Sequence, residues 1–105
     1  MNLHDAFNFR GEEAGVAFIK DIFNVLKPGG VAAIIDHEGN TGVDNKELHR
    51  IAHDTVKSLI EKAGFEIVTD SQLLNNAADD HSKSSSDETL GRSTDQVFFV
   101  VRKPA

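Results

Sequence analysis

The run Leu26-Lys-Pro-Gly-Gly-Val-Ala-Ala-Ile-Ile-Asp-His37 does most to limit what this 105-residue chain can become. Proline cannot continue a helix and glycine accepts positive φ, so Pro28-Gly29-Gly30 ends whatever helix precedes it. Five apolar residues, Val31 to Ile35, follow without a polar interruption. Such a run fits a strand buried on both faces, as in sheets built with parallel crossovers. A polar pair, Asp36 and His37, stands where that strand stops. In open α/β sheets ligands lie beyond the carboxyl ends of the strands, which makes this pair the first candidate for chemistry.

The flanks extend the pattern. Gly15, Phe18, Ile19, Ile22, Phe23 and Leu26 recur at steps of three and four, predicting an amphipathic helix from Glu12 to Leu26. Residues 1–10 show no clear period and leave room for a turn of helix. A polar loop covers Glu38 to Asn45. A second helix is predicted from Lys46 to Lys62, with Leu48, Ile51, Ala52, Thr55, Val56, Leu59, Ile60 and Ala63 as its stripe and Gly64 as its stop. Phe65 to Thr69 alternates and suits a sheet edge. Residues 75–94 are rich in Asp, Ser and Lys and are expected to be a mobile loop. Val97-Phe-Phe-Val-Val101 reads as another strand buried on both faces. The expectation is one α/β domain ordered helix, strand, helix, strand, strand. The unit from 31 to 69 implies a parallel pair with a right-handed crossover, and the last strand is expected to be antiparallel.

Composition removes several function classes. The net charge of −6 argues against a nonspecific partner that is nucleic acid or anionic membrane. With no cysteine, disulfides, thiolate metal sites and a cysteine nucleophile are excluded. No apolar run approaches ~18 residues and no basic-then-apolar start is present, so the cytoplasm is the expected location.

The segments Leu26-Lys-Pro-Gly-Gly30, the strand ending at Asp36-His37, Ala63-Gly-Phe65 and the final strand resemble the C-terminal half of a class I S-adenosylmethionine-dependent methyltransferase. More narrowly, Asn75-Asn-Ala-Ala-Asp-Asp-His81, Gly91-Arg-Ser-Thr-Asp-Gln96 and Arg102-Lys-Pro104 are similar to the C-terminal signature of a group of bacterial predicted methyltransferases. Asn2-Leu-His-Asp5 is similar to that group's Asn-x-His-Asp motif. The resemblance implies a partial Rossmann-like sheet in which the last strand lies between the other two. It also implies S-adenosylmethionine as cofactor, approached by Asn2, and a small-molecule methyl acceptor. The family's glycine-rich loop and its cofactor-binding acidic residue would lie ahead of Met1. Each charge-assisted hydrogen bond lost is worth ~1.5–3 kcal/mol, so these residues alone are expected not to methylate.

Successive right-handed crossovers in one direction put both helices on one face of the sheet. The other face would then be bare and apolar, which predicts a homo-oligomer, most simply a two-fold dimer. A noncatalytic self-associating module is the alternative to an enzyme. Within the site, His37 is assigned as general base or substrate ligand with Asp36 beside it. His4 and Asp5 are placed in the same cleft by the resemblance. Asp80 and His81 are assigned to substrate, against a turn that bonds its own backbone. Arg92 is likewise assigned to substrate, against an ion pair with Asp95 that fixes the long loop. His49 and His53 have the spacing of a helical metal pair, but Arg50, Ile51 and Ala52 intervene without a glutamate, so they are read as a solvated helix face and no metal is assigned. The serines of 82–86 belong to no nucleophile elbow.

Overall fold

In the computed structural model, which describes residues 2–87, 89–90 and 94–105, the Pro-Gly-Gly turn joins a helix to the longest strand. The order among these residues is α1 (Leu3–Arg10), α2 (Glu12–Val25), β1 (Val31–Gly39), β2 (Ile51–Ala52), α3 (His53–Lys62), β3 (Glu66–Ser71) and β4 (Gln96–Arg102). Gly29 takes φ +82°, and its N–H donates to Lys103 O, tying the turn to the end of β4. The four-stranded sheet runs β2-β1-β4-β3. β4 pairs antiparallel with both β1 and β3, so the last strand does lie between the other two long ones.

Three expectations change. α1 is a full helix, where the sequence left room for a turn. β1 runs to Gly39 rather than stopping at Ile35, because its ladder with β4 continues to His37↔Gln96 and β2 pairs in parallel with Glu38 and Gly39. The second helix starts at His53, not Lys46. Ile51 and Ala52, read as part of its stripe, are strand residues on the other edge of β1. Tertiary pairing overrides the helical period there, and His49 at φ +53° breaks any continuous helix through that segment.

The helices share one face of the sheet. Ile34, Val97, Phe99 and Val101 are buried in one cluster with Ile19 of α2 and Val56, Leu59 and Ile60 of α3. Gly15 lets α2 and α3 approach, since a Cβ there would lie 2.9 Å from Leu59 Cδ1. On the opposite face Val31 is 61% exposed and Ile35 48%. Their register partners Arg102 and Phe98 are half-buried. The two apolar runs are therefore buried on one face only within these residues. The shortest dimension, 21 Å, is that of two layers, helix on sheet. Among the described residues no helix is long and apolar enough to cross a membrane.

Gly39 is required by packing. A Cβ at that position would meet Asn45 Oδ1 at 2.4 Å and Asn45 Nδ2 at 2.7 Å. Asn45 is buried and its amide closes the 40–45 loop by donating to Asn40 O and Val43 O. Gly39→Ala is expected to destabilise the fold by about 1–3 kcal/mol through overpacking, read as a lower urea midpoint. An unchanged midpoint would show that the loop yields without cost.

Candidate functional site

Asp36 is the centre of the site. It sits near the carboxyl end of β1 on the buried, helix-covered face, in register with Val97. Its Oδ2 accepts the backbone N–H of His4 at 2.8 Å. Its Oδ1 faces His4 Nδ1 at 2.6 Å and accepts the His37 N–H at 2.7 Å. The first N–H groups of a helix have no partner within it, and a negative charge there is favoured by the helix dipole. Asn2, the residue before α1, supplies no side-chain cap. Asp36 caps the helix from the sheet instead.

A carboxylate only accepts, so the His4 Nδ1 carries the proton directed at Asp36. The other ring nitrogen, Nε2, lies 3.2 Å from Asp5 Oδ1. His49 Nδ1 approaches the same oxygen at 3.6 Å. The His49 ring stands edge-on to His4 with centroids 5.9 Å apart, and the His37 ring lies 6.0 Å from His4. His37 Nδ1 meets Thr94 Oγ1 at 2.7 Å. Four residues named from the sequence, His4, Asp5, Asp36 and His37, are thus brought together.

The two central imidazoles are pushed in opposite directions. Burial lowers the His4 pKa, but the hydrogen bond and charge of Asp36, with the charge of Asp5, outweigh it and the net shift is upward. Burial also lowers His37, where the Asp36 charge does not compensate and the charges of His4 and Arg50 add to the fall. Pairs whose environments separate their pKa values in this way divide acid and base roles between them.

A second polar group lies beside the first. Arg50, fully buried, forms a two-point ion pair with Asp79 at 2.8 and 2.9 Å. It also donates to Glu38 O and Lys83 O. Asp79 accepts the N–H groups of His81 and Asp95. Burial raises the Asp79 pKa, yet the bonds from Arg50 and those two amides prevail and the net shift is downward. His81, at φ +69°, spans Asn40 Oδ1 and Asp95 Oδ2, both at 2.8 Å. Asp80 is exposed and bonds Ser82 N and Oγ, the local turn foreseen as its alternative. Asn2 is exposed at the start of α1. Arg92 lies outside the described residues.

Three site residues escaped the sequence reading. Thr94 carried no signal. Arg50 was absorbed into a helix, although a charged residue amid an apolar stripe can signal a buried partner. His49 and His53 do not share a helix face: His49 precedes the helix, while His53 Nε2 meets Asp70 Oδ2 at 2.7 Å. A surface cleft of about 510 Å³ is lined by Glu12, Lys20 and Lys62 of α2 and α3 and contains none of the clustered imidazoles. Of the clustered imidazoles His4 is buried, His37 half-buried and His49 exposed.

No protein-family model matches the sequence, and no curated protein matches it. Among solved structures, the crystal structure of the [4+2]-cyclase SpnF is similar, with a TM-score of 0.60 and 18% identity. The likeness covers 87% of this chain and 44% of SpnF, so the chain spans less than half of that protein. At that identity it shows a shared fold.

Asp79→Ala strands a buried guanidinium and is expected to cost about 3–5 kcal/mol, read by urea unfolding. The Asp79 pKa is lower folded than unfolded, so its contribution is complete above the unfolded value of about 3.9 and fades as pH falls through the lowered one. Asp79→Asn is expected to flatten that acid limb of the stability curve; a limb unchanged by the substitution would assign acid unfolding to other carboxylates.

Proposed function

We propose that these residues are the acceptor-side part of an S-adenosylmethionine-dependent methyltransferase-like fold, with His37 taking a proton from the methyl acceptor. The reading is supported by the likeness to SpnF, whose fold is methyltransferase-like. The observation that carries it is one carboxylate, Asp36, holding two oppositely shifted histidines near the end of β1. With Nδ1 engaged by Thr94, the His37 Nε2 is the nitrogen left to receive the acceptor's proton. Asp36 and His4, whose pKa is shifted upward, set the electrostatic surroundings of that transfer.

S-adenosylmethionine would supply an activated methyl group. The residues present suit only its reacting end: Asp5 is a half-buried carboxylate in the first turn of α1, and Asn2 is exposed just before that helix. Among the described residues no glycine-rich loop joins a strand to a helix to grip the nucleoside, so binding by these residues is expected to be weak. Amide shift mapping with S-adenosylmethionine is expected to move Asn2 to Asp5 and His37 without saturating below about 1 mM. Shifts confined to other regions, or none, would remove the reading.

The bare sheet face favours a second reading, a homodimer. Val31 and Ile35 are largely exposed on it, and the outer edge of β1 is paired only at Glu38 and Gly39 among the described residues. Leaving large apolar side chains wet costs roughly 1.5–3 kcal/mol each, which a second copy of the same face would recover. Sedimentation at low micromolar concentration is expected to give a dimer, and Ile35→Lys a monomer. A folded wild-type monomer at that concentration ends this second reading.

A further inference from the structure

Three metal-ligand atoms converge at the first turn of α1, and the proposed methyl transfer gives no role to the third of them, His49. His4 Nε2 lies 3.2 Å from Asp5 Oδ1, His49 Nδ1 lies 3.6 Å from that same oxygen, and all three are within 4.8 Å of one another. We propose that His4, Asp5 and His49 bind a divalent transition-metal ion of the zinc class, leaving a coordination position open to solvent.

These two separations are compatible with ligands on one ion. A tetrahedral ion with bonds of about 2.0–2.1 Å holds its donors about 3.3–3.4 Å apart, and 3.2 and 3.6 Å bracket that separation. At 3.6 Å the Asp5–His49 contact is too long for a good hydrogen bond.

The buried ligand is already oriented. Asp36 Oδ1, 2.6 Å from His4 Nδ1, fixes the tautomer and turns Nε2 toward Asp5. A carboxylate behind a histidine is the outer-shell arrangement that metal sites use to raise ligand basicity and lock the ring. With Nδ1–H committed to Asp36, the lone pair of Nε2 would point at the lone pairs of Asp5 unless a cation lies between them. That cation is a proton or a metal ion, and a third donor, His49, is drawn to the same point.

His49 reaches it from the left-handed backbone region, φ +53°, which is uncommon for a non-glycine residue although histidine enters it more readily than most. Strain of this kind clusters at functional sites. The neighbouring Arg50, locked to Asp79, fixes where that residue stands. Two imidazoles and one carboxylate are a donor set of intermediate softness, which favours zinc, cobalt or nickel over magnesium or calcium. His4 is buried, whereas the side chains of Asp5 and His49 are 32% and 46% exposed, so the ion enters from solvent and keeps a side free for an oxygen or nitrogen of a small ligand. A second group, Glu38, His81 and Asp95, is less suited, because both His81 nitrogens are already engaged by Asn40 and Asp95.

The inference does not depend on the methyltransferase reading, since it needs no cofactor and no methyl acceptor. Zn²⁺ is titrated calorimetrically into the folded 105-residue chain, and Co²⁺ is followed by its visible absorption. The expected result is one equivalent of Zn²⁺ bound and the strong bands of four- or five-coordinate cobalt. His49→Ala and Asp5→Ala, at side chains outside the hydrophobic core, are each expected to weaken Zn²⁺ binding by about tenfold or more. His81→Ala is expected to leave it unchanged. No stoichiometric uptake of either ion would show that the cation beside His4 is a proton only. Uptake that survives His49→Ala and is lost in His81→Ala would place the ion in the other group; either result overturns the proposal.

Discussion

The buried ion pair between Arg50 and Asp79 organises everything at the carboxyl end of the sheet. Its two bonds, at 2.8 and 2.9 Å, tie the turn before β2 to the long segment between β3 and β4. Arg50 also binds Glu38 O of β1 and Lys83 O, so one guanidinium contacts strand, loop and turn together. Burying such a charge is costly unless the partner geometry is good and the remaining donors are satisfied. Both conditions hold: the pair is bidentate, and carbonyl oxygens take further N–H groups. Asp79 in turn fixes His81 and Asp95 through their amides, and Asp95 fixes Asn76 and His81. The segment expected from its composition to be mobile is anchored at these points.

How legible this was depended on where local chemistry decided the outcome. Pro28-Gly29-Gly30 placed the helix–strand boundary correctly because proline and glycine act through their own backbones, whatever surrounds them. The apolar run 97–101 gave a central strand for a similar reason, since few other structures can hold it. The start of α3 was misread because Ile51 and Ala52 fit a helical stripe as well as a strand, and only pairing with Glu38 and Gly39 chose between them. Asp36 and His37 were visible from their position after an apolar strand. His4 and Asp5 were reached through family resemblance, and His49 and Thr94 joined the cluster through long-range folding that no local pattern encodes.

A sheet with helices on one face only is thin, here 21 Å, and leaves Val31 and Ile35 uncovered. The clustered imidazoles stand apart from the cleft between α2 and α3. SpnF, of which this fold matches 44%, is more than twice as much protein built around a similar core.

Asp36 makes fold and chemistry inseparable at this site. One carboxylate caps α1, orients the His4 ring and holds the backbone of His37. It can balance one positive charge closely, and the net upward shift favours that charge on His4, which has Asp5 as a second anion. Once His4 is charged, it opposes the protonation of His37, whose burial already disfavours it. The opposite shifts therefore follow from geometry: two histidines share one buried anion, and the one with the additional carboxylate is shifted upward while the other is shifted downward.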